Sequence, residues 1–183
     1  PATSTFRWQT NCAHVRAEPY DVVFRVIDFP PGVSQTQLAT LESFRIRIYA
    51  PKPQNLTARP TTDPAGRAII LNWAAYACGV SALPSGTQMA IYRKEGCENI
   101  TLDPCTDAGL LASTGYVKIG EVPIDQTTFT DNNSSQGLSR GVQYSYRIVV
   151  ILPRPNNGQS AVSEQVCVTL PQQVPLITHV TVD

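Results

Sequence analysis

Five cysteines are the residues of this chain best suited to covalent chemistry, and they stand at Cys12, Cys78, Cys97, Cys105 and Cys167. None belongs to a Cys-x-x-Cys pair, and the two histidines, His14 and His179, lie far apart in sequence, so a zinc site is unsupported. A catalytic thiol would need a neighbouring base to form its thiolate, and these two histidines are the only histidines in the sequence that could serve as that base. We therefore expect disulfides, which are typical of compartments outside the cytosol.

Two disulfide pairings are predicted. Cys97 and Cys105 bracket a short loop, and closing it would stabilise the fold by about 2.6 kcal/mol through loop entropy, less any strain. Cys78 and Cys167 lie near two predicted strands and would clip the sheet structure over a longer loop, although their side-chain directions stay open. Cys12 would then be left over, either with a partner in sequence beyond this chain or as a free buried thiol.

The acidic residues indicate neither an enzyme nor a metal protein. Hydrolysis of sugars requires two carboxylates that face each other across a cleft. The six glutamates occur singly, so their spacing does not predict such a pair. Asp131-Asn132-Asn133 and residues 103–107 carry oxygen ligands but lack the spacing of a calcium loop, so we expect turn capping there. No phosphate loop, Gly-x-Ser-x-Gly elbow or His-Glu-x-x-His helix is present. The sequence predicts no catalytic residue, no metal ligand and no cofactor.

The charge balance argues against nucleic acid as a partner and against direct insertion into a membrane. Lys plus Arg and Asp plus Glu number 14 each, so the formal net charge is zero. Charged residues make up 15% of the chain, against roughly 25% in an average soluble domain. No apolar run approaches the roughly 20 residues that cross a bilayer. The amino end lacks the features of a signal peptide, so we expect a mature protein or an internal fragment.

Alternation of apolar residues predicts an all-β chain, with residues 34–43 as the only helix candidate. In the first fifty residues it predicts strands at 6–8, 20–27 and 44–49. The stretch Pro51-Lys52-Pro53 cannot join a sheet interior and indicates a boundary. Seven further strands match the count and spacing of an immunoglobulin-like sandwich. They are predicted at 55–59, 68–73, 88–94, 116–122, 127–131, 143–151 and 163–170.

This pattern divides the chain into one whole domain and two partial ones. Residues 1–50 are predicted to be the C-terminal strands of an immunoglobulin-like domain, and 51–53 a linker. Residues 54–171 form the predicted sandwich. Residues 172–183 alternate again and are predicted to be the first strand of a following domain, the alternative being a tail strand added to the same sandwich.

Trp73, Leu138 and Tyr144 carry a resemblance to fibronectin type III domains. Trp73 ends an apolar stripe, which is typical of core packing, and Leu138 stands six residues before Tyr144 with a glycine turn between them. This spacing resembles the tyrosine corner of that family. The resemblance spans about residues 53–170 and implies that the Tyr144 hydroxyl bonds a backbone group a few residues upstream.

A narrower resemblance joins the chain to repeats of large bacterial surface proteins linked to gliding motility and type IX secretion. It rests on Ile91-Tyr92-Arg93-Lys94, the 115–120 segment, Phe129-Thr130-Asp131-Asn132 and the 163–167 segment. In such proteins, similar domains follow one another as stalks and adhesins. The resemblance departs at the insertion of residues 97–112, where strand pairing is open.

The leading hypothesis is a non-catalytic structural or adhesion module, secreted or at the cell surface, whose partners are neighbouring domains, surface glycans or other cell-surface proteins. The alternative is an accessory carbohydrate-binding module of a secreted hydrolase, with Tyr92 and Tyr116 stacking on sugars rather than pairing across strands. A third hypothesis, a fragment of a eukaryotic receptor ectodomain, predicts glycans at Asn55 or Asn99.

Overall fold

Nine β-strands and one short turn of 3-10 helix, Cys12–His14, make up the regular structure in the computed structural model, which describes residues 3–28, 38–62, 66–79, 82–100, 102 and 113–172. The strands are β1 Tyr20–Asp28, β2 Leu38–Ile46, β3 Thr57–Pro60, β4 Ile69–Asn72, β5 Gln88–Glu95, β6 Val117–Pro123, β7 Thr128–Asp131, β8 Gln143–Ile151 and β9 Val166–Thr169. The all-β prediction is confirmed. The helix considered at 34–43 is wrong for residues 38–43, because these pair with β1 as part of β2.

The strands β3 to β9, called the sandwich below, form two antiparallel sheets. One sheet has the order β3-β4-β7 and the other the order β6-β5-β8-β9. The longest ladder within the sandwich joins β5 to β8, from Gln88 opposite Ile151 to Glu95 opposite Tyr144. All seven strands predicted after residue 54 are present, which confirms the immunoglobulin-like or fibronectin-like sandwich.

Strand β8 is the centre of the fold, because both of its faces are covered. Every residue from Tyr144 to Val150 is buried. Its alternate side chains, including Tyr146 and Ile148, join the core between the sheets. Val149, on the opposite face, packs instead in a second, smaller cluster with the ring of Tyr116. A strand buried on both faces fixes its register strongly, since a slip by one residue would exchange the two sets.

Strands β1 and β2, called the arm below, form a separate two-stranded antiparallel sheet. Nine residue pairs join them, from Tyr20 opposite Ile46 to Asp28 opposite Leu38. Nine residues of strand correspond to a length of about 30 Å. The strand predicted at 6–8 is wrong, because these residues are not paired in a sheet.

Candidate functional site

The three residues that carried the family resemblance lie in the core of the sandwich. Trp73, Leu138 and Tyr144 are exposed by 6%, 2% and 2% of their surface. The Trp73 indole N–H donates to the Gln126 carbonyl at 3.1 Å. The Tyr144 hydroxyl accepts from the Ser139 backbone N–H at 2.9 Å, five residues upstream. These groups hold the fold together, and the buried polar atoms of Trp73 and Tyr144 each have a hydrogen-bond partner.

The two disulfides differ from both predicted pairings. One joins Cys12 to Cys78 and the other joins Cys97 to Cys167. The predictions of a bridge between Cys97 and Cys105 and of one between Cys78 and Cys167 are therefore wrong. Cys105 lies outside the described residues.

Sheet register explains why Cys97 meets Cys167. After β5 the chain turns at Gly96, which has a φ of +85° and donates its backbone N–H to the Gln143 carbonyl at 2.8 Å. This turn carries the chain across the start of β8. Cys167 stands beyond β8 on the neighbouring strand β9, opposite Ser145. The bridge thus ties the loop after β5 to the far edge of the same sheet.

The bridge between Cys12 and Cys78 joins the first fifty residues to the sandwich. Cys78 lies in the turn after β4, and Cys12 opens the 3-10 turn before the arm. Residues 1–50 were predicted to be part of a separate domain, which left Cys12 without a partner in this chain. The unmatched Cys12 was itself the signal that residues 1–50 could be bonded to the sandwich.

The tyrosines proposed to stack on sugars sit in packed surroundings. Tyr116 is only 3% exposed, and its hydroxyl donates to Ser145 Oγ at 3.2 Å. The prediction of Tyr116 as a stacking platform is therefore wrong. Tyr92 is half-buried, lies opposite Arg147 in the β5 and β8 ladder, and has its pKa raised by burial. Cross-strand packing accounts for the position of the Tyr92 ring, and the Tyr116 ring packs in the cluster that contains Val149.

A buried arginine that the sequence did not reveal lies under the loop after β5. The Arg147 guanidinium donates to the carbonyls of Ser163, at 2.9 Å, and Ile100, at 3.0 Å. Its Nε has no hydrogen-bond partner among the described residues. The guanidinium also lies 5.9 Å from the Tyr116 ring centroid. Arg147 therefore holds the loop to the sheet through hydrogen bonds and a cation–π contact.

A polar cluster lies between β5 of the four-stranded sheet and β7 of the three-stranded sheet. Asp131, 3% exposed, forms an ion pair with Arg93 at 2.9 Å. The carboxylate also accepts from the Tyr146 hydroxyl at 2.8 Å and from the Asn133 N–H at 3.0 Å. Burial, and then the Asp131 charge, raise the pKa of Tyr146 far above its usual range. Because the carboxylate is saturated by donors, the cluster serves as a structural network.

This cluster borders a cavity of about 390 Å³. The cavity is lined mainly by polar side chains from β5, β6, β7 and the turn after β7, together with Ile119 and Phe129. Asn132 and Asp131 cap this turn by accepting from the backbone N–H groups of Ser135 and Asn133. In the part of the chain that the structure describes, no three His, Cys, Asp or Glu side chains lie close enough to share a metal ion. The expected turn capping at Asp131-Asn132-Asn133 is confirmed.

The arm carries most of the exposed apolar surface. Seven large apolar side chains are strongly exposed among the described residues, and six belong to the arm or to the segment before it. These six are Phe6, Val23, Val26, Ile27, Leu41 and Phe44. The Phe24 ring lies edge-on to the rings of Phe6 and Phe44, with centroids 5.9 Å and 5.5 Å apart. A concentrated apolar surface of this kind indicates an interaction surface.

The base of the arm is attached to one end of the sandwich, through contacts called the joint below. On the side of β1, the Ala17 N–H donates to the Asn156 carbonyl at 2.8 Å. On the side of β2, the Ala50 N–H donates to the Gln159 carbonyl at 3.0 Å. Val15 lies in the sandwich core and is 1% exposed. The predicted boundary at 51–53 is thus bridged by contacts from the segments that flank both strands of the arm.

The seven-stranded antiparallel sandwich, with its tyrosine corner, defines an all-β module of the immunoglobulin-like and fibronectin-like class. No protein-family model matches the chain. No curated protein matches it either. No helix among the described residues has the length and apolar character needed to traverse a bilayer.

Solved structures that are similar to the chain include a region of twitchin and a myokine. A structure of the twitchin kinase region from C. elegans (Fn31-NL-kin-CRD-Ig26) is 21% identical, with a TM-score of 0.42 over 68% of this chain. A structure described as "Myokine structure" is 16% identical, with a TM-score of 0.39, and the match covers 67% of this chain and 99% of that one. The chain spans 17% of the twitchin structure.

Proposed function

We propose that this chain is a non-catalytic segment of a larger extracellular protein, in which the sandwich is a structural or adhesion module and the arm belongs to a preceding immunoglobulin-like domain. The observation that carries the proposal is the exposed apolar surface of the arm. A sheet of two strands is marginal by itself in water and needs a second layer over its apolar face.

The two faces of the arm differ in a way that supports this assignment. One face carries Tyr20, Val22 and Phe24 on β1, and these side chains are half-buried. Their partners Phe44 and Ile46 on β2 lie on the same face. The opposite face carries the exposed ion pair of Asp21 and Arg45, at 3.5 Å, and also the exposed side chains of Val23, Ile27 and Leu41. The half-buried side chains of the described part of the arm lie on the first face only, which is the face that we propose packs against a second sheet.

The disulfides support an extracellular location. Two bridges over sequence separations of 66 and 70 residues are typical of proteins that fold in oxidising compartments. The motifs that resemble repeats of gliding-associated surface proteins support the finer proposal of a bacterial cell-surface protein. Residues 172–183 would then open the next domain, although from residue 173 onward they lie outside the described residues.

Footprinting on the arm tests this proposal. Hydroxyl radicals would be applied to the 183-residue chain and to its parent protein, and oxidation of Phe44 and Leu41 would be compared by mass spectrometry. We expect Phe44, on the apolar face, to be protected in the parent protein only. Oxidation of Val117 on β6, which is 65% exposed, is the internal control. Equal oxidation of Phe44 in both proteins would contradict the proposal.

Surface labelling tests the location. Intact cells that produce the parent protein would be treated with a membrane-impermeant amine reagent, and the labelled lysines would be identified. We expect Lys52 and Lys118 to be labelled, because about half of each side chain is exposed. Labelling only after lysis would count against an extracellular module.

Neighbouring domains are the partners that this proposal requires, and surface glycans or other cell-surface proteins are further proposed partners. The burial of Tyr116 removes one of the two stacking residues on which the carbohydrate-binding alternative depended. A glycan array probed with the chain and with Tyr92→Ala would test whether the remaining tyrosine binds sugars. Saturable binding lost in the variant would restore that alternative.

A further inference from the structure

We propose that the joint makes the arm and the sandwich a single rigid body, and that a dithiol reductant loosens this body by opening the bridge between Cys12 and Cys78. The inference goes beyond the proposed function, because it concerns mechanical coupling across the joint and holds whatever the module binds. Its basis is a set of contacts that fixes the arm at two places and by three kinds of interaction.

The arm is attached through the segments that precede β1 and follow β2. The segment entering β1 bonds the sandwich at Ala17, and the segment leaving β2 does so at Ala50. Ala50 also accepts from the Ala161 N–H at 2.9 Å and forms a parallel bridge with Ser160. A single attachment would let the arm rotate about that point. Two attachments, one on each flanking segment, remove this rotation, whereas a flexible linker that few contacts cross would allow it.

Packing at the joint leaves no room for sliding. Val15 lies in the sandwich core, and the backbone of the same segment passes over Gly158. A Cβ atom added at Gly158 would lie 2.8 Å from Val15 Cγ1 and 2.9 Å from the Arg16 backbone nitrogen. Such distances are shorter than van der Waals contact, so only glycine allows this approach. At the second attachment, next to Ala50, the Tyr76 hydroxyl donates a hydrogen bond of 2.6 Å to the Pro51 carbonyl.

The segment before the arm is itself tied to the first residue of β1. The Tyr20 hydroxyl donates to the His14 carbonyl at 2.9 Å. The Arg16 guanidinium carbon lies 3.5 Å from the centroid of the Tyr20 ring, and the Trp8 ring meets the same ring edge-on at 4.7 Å. A displacement of β1 is therefore passed to the 3-10 turn and, through Cys12, to the sandwich.

The bridge between Cys12 and Cys78 is the covalent part of the joint and the part that chemistry can reverse. Both residues are half-buried. A dithiol reductant attacks one sulfur as a thiolate, which breaks the protein disulfide and forms a mixed disulfide. The second thiol of the reductant then displaces the protein sulfur. The products are two protein thiols and a cyclic disulfide of the reductant, with two electrons and two protons transferred to the protein.

Backbone amides at the joint report on its integrity. Hydrogen exchange at the Ala17 and Ala50 amides would be measured by NMR on the full chain, together with the rotational correlation times of amides in β1 and β8. We expect equal correlation times for the two strands in the oxidised protein. In the double variant Cys12→Ser with Cys78→Ser, we expect exchange at Ala17 to accelerate on the order of tenfold while β8 stays protected.

The matched control removes the other bridge, through Cys97→Ser with Cys167→Ser, which lies away from the joint. We expect this variant to leave exchange at Ala17 and Ala50 unchanged relative to exchange in β8. Gly158→Val is the second test, because it opens the joint by packing with both disulfides intact, and we expect faster exchange at Ala17 as well. Independent tumbling of β1 in the oxidised protein would overturn the proposal. An equal acceleration of hydrogen exchange at Ala17 in the two double cysteine variants would also overturn it.

Discussion

The strands β1 and β8 have the same length, nine residues, and nearly opposite surroundings. Seven residues of β8 are buried, whereas no residue of β1 is fully buried. Both strands alternate apolar and polar side chains for at least part of their length. Alternation therefore specifies that a segment pairs as a strand, while the number of layers around the strand decides how much free energy its side chains contribute.

Ion pairs provide the largest expected contrast between the two regions. Asp131→Ala in the sandwich should lower the free energy of unfolding by about 3 to 5 kcal/mol, because it leaves the Arg93 charge largely buried without its partner. Asp21→Ala in the arm removes a pair with Arg45 whose side chains are 67% and 82% exposed, and should cost at most about 1 kcal/mol. Urea denaturation followed by circular dichroism measures both. Similar losses would show that the pairs do not differ in solvation.

Two leucines extend the contrast to apolar burial. Leu71→Ala on β4 should lower the free energy of unfolding by about 2 to 5 kcal/mol, because Leu71 is fully buried and its removal leaves a cavity. Leu41→Ala on β2 should change it by no more than about 0.5 kcal/mol, because Leu41 is 65% exposed. The same denaturation experiment compares the pair. A large loss from Leu41→Ala would mean that the arm packs against something in the 183-residue chain.

Alkaline pH should destabilise the sandwich through Tyr76 and Tyr146. Burial raises the pKa of both hydroxyls above the usual value, so they stay protonated in the folded protein while the unfolded tyrosines ionise. The stabilisation that the two protonated hydroxyls provide is complete below the pKa of about 10 that tyrosine has in the unfolded protein. It falls as pH rises further, by about 1.4 kcal/mol per pH unit for each tyrosine.

Urea denaturation between pH 8 and pH 11.5 measures this slope, and absorbance at 295 nm follows the ionisation. Tyr76→Phe is the matched variant. It should reduce the dependence of the unfolding free energy on pH by the contribution of one tyrosine. A slope that this substitution leaves unchanged would contradict the assignment.

The tyrosine corner gives the smallest expected effect. Tyr144→Phe removes a hydroxyl that accepts from the Ser139 N–H, and it should lower the free energy of unfolding by about 1 kcal/mol. Tyr20→Phe at the base of the arm is the counterpart, since it removes a bond to the His14 carbonyl. We expect Tyr20→Phe to leave global unfolding nearly unchanged while exchange at nearby amides accelerates. A larger global loss from Tyr20→Phe would reverse the comparison.

Much of the sandwich could be predicted from the sequence, because its signals are local. Strand β8 was predicted at the residues it occupies, since Tyr144, Tyr146 and Ile148 alternate after a glycine turn. Other strand ends differ from the predictions by a few residues, as ladder hydrogen bonds begin only where a partner strand is available. Residues 38–43 were misjudged because their spacing suits a helix weakly, and pairing with β1 overrides that preference.

The joint and the disulfides could not be predicted, because they depend on which loops meet in space. Cys97 reaches Cys167 only because the chain crosses β8, and no spacing along the sequence records that crossing. Gly158 gave no signal either, since its role is set by Val15, which is distant in sequence. The buried charge of Arg147 was hidden for the same reason, as its partners are backbone carbonyls from two separate loops.

The edge strand β6 affects how copies of this module behave when many of them lie close together. It carries Lys118 and Glu121 joined side by side at 2.7 Å, ends at Pro123, and lies beside an irregularity in β5 between Ile91 and Tyr92. Charges, proline and an irregular ladder each discourage a foreign strand from adding to a sheet. Dense arrays of this module would therefore remain separate along this margin instead of fusing into aggregates.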